Sequence, residues 1–173
     1  GVLPRKPFTA PEPNNNPAPG GQSGQKGTET MKKTPKDYLA YCENRGLSPR
    51  LVRAVINQHG DWEDWMADAP DIARHGIDGG FNGFIYYSET CEFARKNRSL
   101  IADYLDQLAA DMGESPTKFV QGFSCLGSDY SEAKIGRCLY GRGDDTQIMN
   151  ALAWFAAEEC AHAYEDWDYE SRN

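Results

Sequence analysis

The sequence lacks closely spaced cysteines, and this excludes two classes of small protein. Five cysteines are spread along the chain, and the two closest in sequence are Cys125 and Cys138. A zinc knuckle needs cysteine pairs a few residues apart, and a disulfide framework needs an even, clustered set. We therefore expect five free thiols, most of them buried, in a reducing compartment.

Long apolar runs and an excess of positive charge are also missing. The 173 residues include 18 lysines and arginines against 26 aspartates and glutamates, which gives a net charge of −8. Because phosphate contacts require a positive surface, this balance argues against direct nucleic-acid binding. No apolar run is long enough to cross a membrane, and no segment has the charged-then-apolar pattern of a signal peptide. We expect a soluble, acidic, intracellular domain.

Residues 1–30 differ in composition from the rest of the chain. Six of the ten prolines and five of the 17 glycines lie there, with few large apolar residues. Such a segment cannot bury enough surface to offset the entropy lost on ordering. We predict that residues 1–30 form a disordered tail or linker and that residues 31–173 form one domain. Met31-Lys32-Lys33 resembles a translation start.

The positions of proline and glycine predict an all-α protein. Thr34, Ser48 and Ser115 each precede a proline, and a hydroxyl N-cap followed by proline is typical of a helix start. Stripes of apolar residues at helical spacing follow these pairs, and several stripes end at a glycine. We predict a compact single-domain bundle of six to eight helices with a glycine-rich aromatic loop.

The other predicted helix starts rest on capping side chains and proline: Asp61 before residues 62–66, Pro70, Ser88 or Thr90, and an Asp144-x-x-Gln147 capping box. That capping box would open the longest helix, over roughly residues 145–168. Only residues 81–87 resemble a strand, and one strand cannot form a sheet.

Residues 75–88 combine four glycines with a cluster of aromatic residues. Glycine permits left-handed backbone and the close approach of a ligand or of another segment. Two interpretations stay open: a packed loop that inserts Phe81, Phe84 and Tyr86 into the core, or a ligand site. The candidate residues of such a site are His75, Asp78, Gly79, Gly80, Asn82 and Ser88.

Glu159 and His162 form a Glu-x-x-His pair on the predicted last helix. Di-iron carboxylate bundles use this unit, but they need a second copy and further glutamates. The sequence contains no second copy, so a structural role is favoured for both residues. We predict no bound metal and no cofactor.

Negative charge is concentrated at the C-terminal end. Residues 144–173 hold eight acidic residues and one arginine, which is −7 of the total −8. Glu165, Asp166, Trp167 and Asp168 mix acids with an aromatic residue, a composition that suits a basic protein partner. The alternative interpretation is a segment that only increases solubility.

Four runs together resemble an uncharacterised family of small acidic proteins encoded by tailed phages and by integrative or mobile elements of bacteria. The runs are HGIDGGFNGFIYY at 75–87, FVQGFSCL at 119–126, LYG at 139–141 and NALAWFAAEE at 150–159. The resemblance covers about residues 31–167. It carries no known activity, so it assigns no catalytic residue. It implies the cytoplasm of a bacterial host during propagation of the phage or element.

Three hypotheses for the function follow. The resemblance and the charge favour a non-catalytic accessory protein that binds a host protein with a basic surface, in a setting such as counter-defence. The second hypothesis is a small enzyme or ligand-binding protein centred on the glycine-rich segment. The third is a structural or assembly protein of the phage or element.

Overall fold

A computed structural model describes residues 33–127 and 129–172. Within these ranges the chain forms eight α-helices and no strand. The helices are α1 (Pro35–Asn44), α2 (Pro49–His59), α3 (Trp62–His75), α4 (Tyr87–Lys96), α5 (Arg98–Asp111), α6 (Pro116–Gln121), α7 (Glu132–Tyr140) and α8 (Thr146–Arg172). The prediction of an all-α bundle is confirmed, whereas the predicted tail lies outside the described residues.

Three helix starts follow the local signals in the sequence. The hydroxyl of Thr34 accepts a hydrogen bond from the backbone N–H of Asp37 at 3.2 Å. Ser48 and Ser115 cap α2 and α6 in the same way, and a proline occupies the first turn of each of these helices. Each cap satisfies a backbone donor that has no partner inside the helix.

The prediction that Pro70 opens a separate helix is wrong, because Pro70 lies inside α3. This helix begins at a reciprocal capping box between Asp61 and Asp64 and continues to His75. Proline removes one helical hydrogen bond. The buried face of α3, which includes Trp65 and Ile72, continues past Pro70, and its packing keeps the helix intact.

Two other predicted starts are displaced by one to four residues. Helix α4 begins at Tyr87 without a side-chain cap, and the Thr90 hydroxyl instead donates to the carbonyl of Tyr86 at 3.1 Å. At the start of α8, the carboxylate of Asp145 rather than Asp144 accepts from the backbone N–H of Ile148 at 3.1 Å. Helix α8 also extends to Arg172, beyond the predicted end.

Helix α8 is the centre of the bundle, and α3 and α4 make its largest contacts. Its middle is buried on nearly every side, which is typical of a helix enclosed by other elements. The Tyr38 hydroxyl of α1 donates to the carbonyl of Cys160 at 2.6 Å and ties α1 to this helix. All five cysteines are free thiols, as predicted. Among the described helices, none combines the length and apolar character needed to cross a membrane.

Candidate functional site

The glycine-rich segment is not an open loop but two short 3-10 helices, Gly76–Gly79 and Asn82–Phe84. Gly80, between them, has φ of +117°, a left-handed conformation that favours glycine. Glycine is required at position 83 for a different reason: a Cβ atom there would collide with the backbone carbonyl of Gln58. A Cβ atom at Gly79 would likewise collide with the carbonyl of Asp71. These contacts support a packing role for the glycines.

The aromatic residues of this segment divide between the core and the surface. Phe81 and Phe84 are buried, with ring centroids 4.2 Å apart. Tyr86, which the packed-loop interpretation places in the core, is instead 65% exposed. Ile85 is also 65% exposed and Tyr87 is 46% exposed. We call these three consecutive residues, Ile85, Tyr86 and Tyr87, the aromatic edge.

A groove with a volume of about 640 Å³ lies between α2 and α4. One of its lining residues, Ser88, directly follows the aromatic edge in the sequence. Most of the groove's lining residues are polar: Ala54, Asn57, Gln58, Ser88, Glu89, Glu92, Phe93, Lys96 and Asn97. Of the site residues predicted from the sequence, Ser88 lines this groove. His75, Asp78 and Asn82 are exposed around the two 3-10 helices.

Glu158 is a buried acid that sequence reasoning did not select as a site residue. It is 4% exposed, and one of its carboxylate oxygens, Oε1, has no hydrogen-bond partner among the described residues. Burial is the main reason that its pKa is raised to about 8. The Ile77 backbone N–H opposes this rise, and the nearby charges of Glu159 and Asp78 contribute to it. The sequence signal that could have identified Glu158 is its position as an acid within the apolar middle of the longest helix.

Glu158 also connects the predicted glycine segment to α8. A side chain at Gly76 would meet the Glu158 Oε2 atom at 3.0 Å, so the first 3-10 helix covers this carboxylate closely. Asp78 lies near enough to influence the Glu158 pKa. The structure thus brings Asp78 and the glycine segment together with a titratable group, which is the kind of environment found at many active sites.

Glu159 has a structural partner in this fold. Its Oε1 atom accepts a hydrogen bond from the Tyr104 hydroxyl at 2.8 Å, in the interior between α5 and α8. His162 is nearly as buried. Across the described residues, no three His, Cys, Asp or Glu side chains are grouped closely enough to hold a metal ion. Glu159 therefore supplies an internal hydrogen bond in this arrangement.

His59 forms a His–acid pair, but both of its ring nitrogens are engaged. Its Nδ1 atom accepts from the backbone N–H of Asn82 at 3.2 Å, which leaves Nε2–H to donate to Asp68 Oδ2 at 2.8 Å. A catalytic histidine must instead present one nitrogen to a nucleophile. This pair therefore fixes the second 3-10 helix against α2.

The thiols are poor nucleophiles. Burial raises the pKa of Cys125 to about 11 and that of Cys42 to about 12. Burial also raises the pKa values of Cys91, Cys138 and Cys160. Because the thiolate is the reactive form, none of the five cysteines is activated for covalent chemistry.

The acidic C-terminal residues lie inside α8, and cations from this helix and from other parts of the chain already pair with them. These pairs are Asp166 with Arg45 at 2.6 Å, Glu165 with Arg74 at 3.5 Å, and Asp168 with Lys33 and Arg172. Much of the negative charge predicted for a partner is therefore offset within the fold.

Trp167 is not available on that surface, because it is only 7% exposed. Its ring centroid lies 5.5 Å from those of Tyr38 and Tyr164 and 6.2 Å from that of Trp62. The expectation of an exposed acidic and aromatic end is wrong for this residue. Its position one turn beyond Tyr164 directs it into the α1–α3–α8 interface.

Comparison with known proteins gives a family and no activity. No curated protein and no solved structure matches the chain. A family model described as a domain of unknown function, DUF7222, matches residues 32–167. This span includes every helix from α1 to α7 and most of α8. The chain belongs to the DUF7222 family.

Proposed function

We propose that this protein is a non-catalytic binding protein that recognises another protein through the aromatic edge and the adjoining groove. The observation that carries the proposal is the exposure of Ile85, Tyr86 and Tyr87 in succession. Tyrosine is enriched at protein interfaces because it combines a large apolar ring with a polar end. A run of exposed large side chains is typical of an interaction surface.

The resemblance to phage and mobile-element proteins suggests where this binding takes place. We propose an accessory protein that acts in the bacterial cytoplasm on a host protein with a basic surface, and counter-defence is the purpose that such binding would serve. The net charge of −8 supports a basic partner, since complementary charge accelerates encounter. The raised thiol pKa values and the engaged His59 favour binding over covalent catalysis.

A specific observation favours a second candidate function at the glycine segment. The Glu158 carboxyl has a pKa of about 8 beside Asp78, and such a group can exchange a proton near neutral pH. The second candidate is therefore a small enzyme or ligand-binding protein in which Glu158 transfers the proton.

Photo-crosslinking tests the binding proposal. The photo-crosslinking amino acid benzoylphenylalanine at position 86 should crosslink one host protein in bacterial cells. That host protein, once purified, should bind the unmodified chain. The matched control carries the same group at Tyr169, which is 41% exposed on α8. Tyr86→Ser should weaken binding of the purified partner about tenfold or more, as expected for an aromatic interface residue. Equal crosslinking from positions 86 and 169, or unchanged affinity of Tyr86→Ser, would refute the proposed surface.

A further inference from the structure

One wall of the groove is a charged face of α4. Glu89, Glu92 and Lys96 follow the helical spacing i, i+3 and i+7, and Phe93 lies between them in the same lining. At 1.5 Å per residue, the two ends of this face are about 10 Å apart, which is the length of about three extended residues. The face is therefore acidic at its N-terminal end and basic at its C-terminal end.

The two carboxylates of this face lack close partners. Glu89 forms no ion pair within the described part of the chain, and Glu92 has one long contact of 3.7 Å with Arg95. The Nε atom of Arg95 is already held by Asp144, with distances of 2.9 and 3.1 Å to its two oxygens. Glu92 can therefore accept a cation from outside the chain without losing a strong internal pair.

The opposite wall, from α2, contributes amides and a small apolar surface. The Gln58 side-chain nitrogen donates to the carbonyl of Gly83 at 3.0 Å, which leaves its oxygen to accept from a ligand. Asn57 is exposed beside it. Ala54 is half-buried and lines the groove above the buried Phe93, so an aliphatic chain can lie along it between the two helices.

We propose that this groove binds an arginine side chain presented by an extended segment of the protein partner. The guanidinium lies between the Glu89 and Glu92 carboxylates and donates also to the Gln58 oxygen. Arginine fits better than lysine, because its planar group offers five donors in a fixed arrangement that matches several oxygen acceptors. Its aliphatic stem lies along Ala54, and Lys96 donates to a backbone carbonyl farther along the segment. This inference rests on the proposed function and identifies the partner chemistry at the same surface.

Nuclear magnetic resonance titration tests this site with a defined probe. N-acetyl-arginine amide, added to the ¹⁵N-labelled full chain, should shift the amide signals of residues that line the groove. N-acetyl-citrulline amide has nearly the same shape but no charge, and it should shift them much less. The double variant Glu89→Gln, Glu92→Gln should bind the arginine probe about fivefold more weakly, as expected for two exposed charge pairs. Glu114→Gln, an exposed acid on another part of the chain, is the matched control and should bind normally.

Three results would overturn the arginine site: no shifts in the groove, equal shifts with the citrulline probe, or unchanged binding by the double variant. Changes in the amide signals that accompany dimer formation, as detected by sedimentation, would assign the groove to a second copy of the chain. This result would also overturn the arginine site. Failure here is distinguishable from failure of the proposed function. A partner that crosslinks at position 86 and binds the double variant normally leaves the aromatic edge valid, whereas an arginine site without any crosslinked partner contradicts the protein-binding role.

Discussion

The two acidic regions of this protein use the same residue types in opposite ways. On the last turns of α8, acidic side chains pair with Arg45, Arg74 and other cations, and Trp167 is buried among aromatic rings. On α4, Glu89 has no ion pair within the described residues, and Tyr86, just before this helix, extends into solvent. The acids of the α8 end thus pair within the fold, whereas those of the α4 face form the surface that we propose for another molecule.

This contrast shows why the distribution of charge along a sequence does not locate a binding surface. The net charge of −7 over residues 144–173 counts only charges that are close in the sequence. Arg45 is far away in the sequence and pairs with Asp166 because α1 packs on α8. An acid is available to a partner when the fold supplies no cation of its own. Measurements that separate stability from binding can therefore test the comparison.

The largest expected effect is that of Trp167→Ala. Removal of this buried ring should lower the free energy of unfolding by about 3–5 kcal/mol, because a cavity replaces its contacts with Tyr38 and Tyr164. Tyr86→Ser should change it by less than about 0.5 kcal/mol, since the side chain is exposed. Urea unfolding followed by circular dichroism measures both.

The matching measurement is binding of the purified partner. The Tyr86→Ser variant should be as stable as the native chain but bind the partner weakly. The Trp167→Ala variant should bind the partner with the affinity of the native chain, when measured well below its thermal unfolding midpoint. A Trp167→Ala protein that is fully folded and has lost binding would return the interface to the α8 end and contradict the distinction between the two regions.

The next effect concerns Glu158, which lies on the same helix as the paired acids but forms no ion pair with any residue that the structure describes. Its pKa is about 8 in the fold against about 4.5 when unfolded, so the folded state retains a proton that the unfolded state releases. Stability from this group is complete below about pH 4.5 and falls as the pH rises to about 8. The free energy of unfolding of Glu158→Gln, relative to the native chain, should therefore increase by about 3–4 kcal/mol between pH 5 and pH 8.

The control for this pH dependence is Glu165→Gln. Burial raises the pKa of Glu165, but the nearby Arg74 opposes that effect, so its variant should show a smaller change over the same range. Asp78, Glu159 and Cys125 face or surround Glu158 and are unchanged in both variants. Parallel stability curves for the native chain and Glu158→Gln from pH 5 to pH 8 would show that this carboxyl is already ionised in the fold.

The sequence predicted the features that depend on a few neighbouring residues. The caps at Thr34, Ser48 and Ser115 are confirmed because a hydroxyl and the first helical turn are sufficient to form them. Pro70 was predicted wrongly because the packing of α3 on α8 outweighs a local preference.

The candidate site was less predictable because exposure depends on how helices meet. Tyr86 and Phe84 are two residues apart in one aromatic run, yet one is exposed and the other is buried. Glu158 and Glu159 are adjacent, yet only Glu159 meets a tyrosine hydroxyl. Ser88 was selected from the sequence and lines the groove, whereas the unpaired state of Glu89 requires knowledge of every nearby cation.

The smallest expected effect compares one acid from each region. Asp166→Asn should lower the free energy of unfolding by about 0.2–1 kcal/mol, because it removes the 2.6 Å contact with Arg45 at a partly exposed position. Glu92→Gln should leave it unchanged within about 0.3 kcal/mol, since its contact with Arg95 is long and exposed. A double-mutant cycle with Arg45→Gln isolates the first interaction, and 1 M salt should reduce it by screening. A coupling energy for Glu92 and Arg95 equal to that for Asp166 and Arg45 would show that both acids serve the fold, and the α4 face would then lose the free charge on which its arginine site depends.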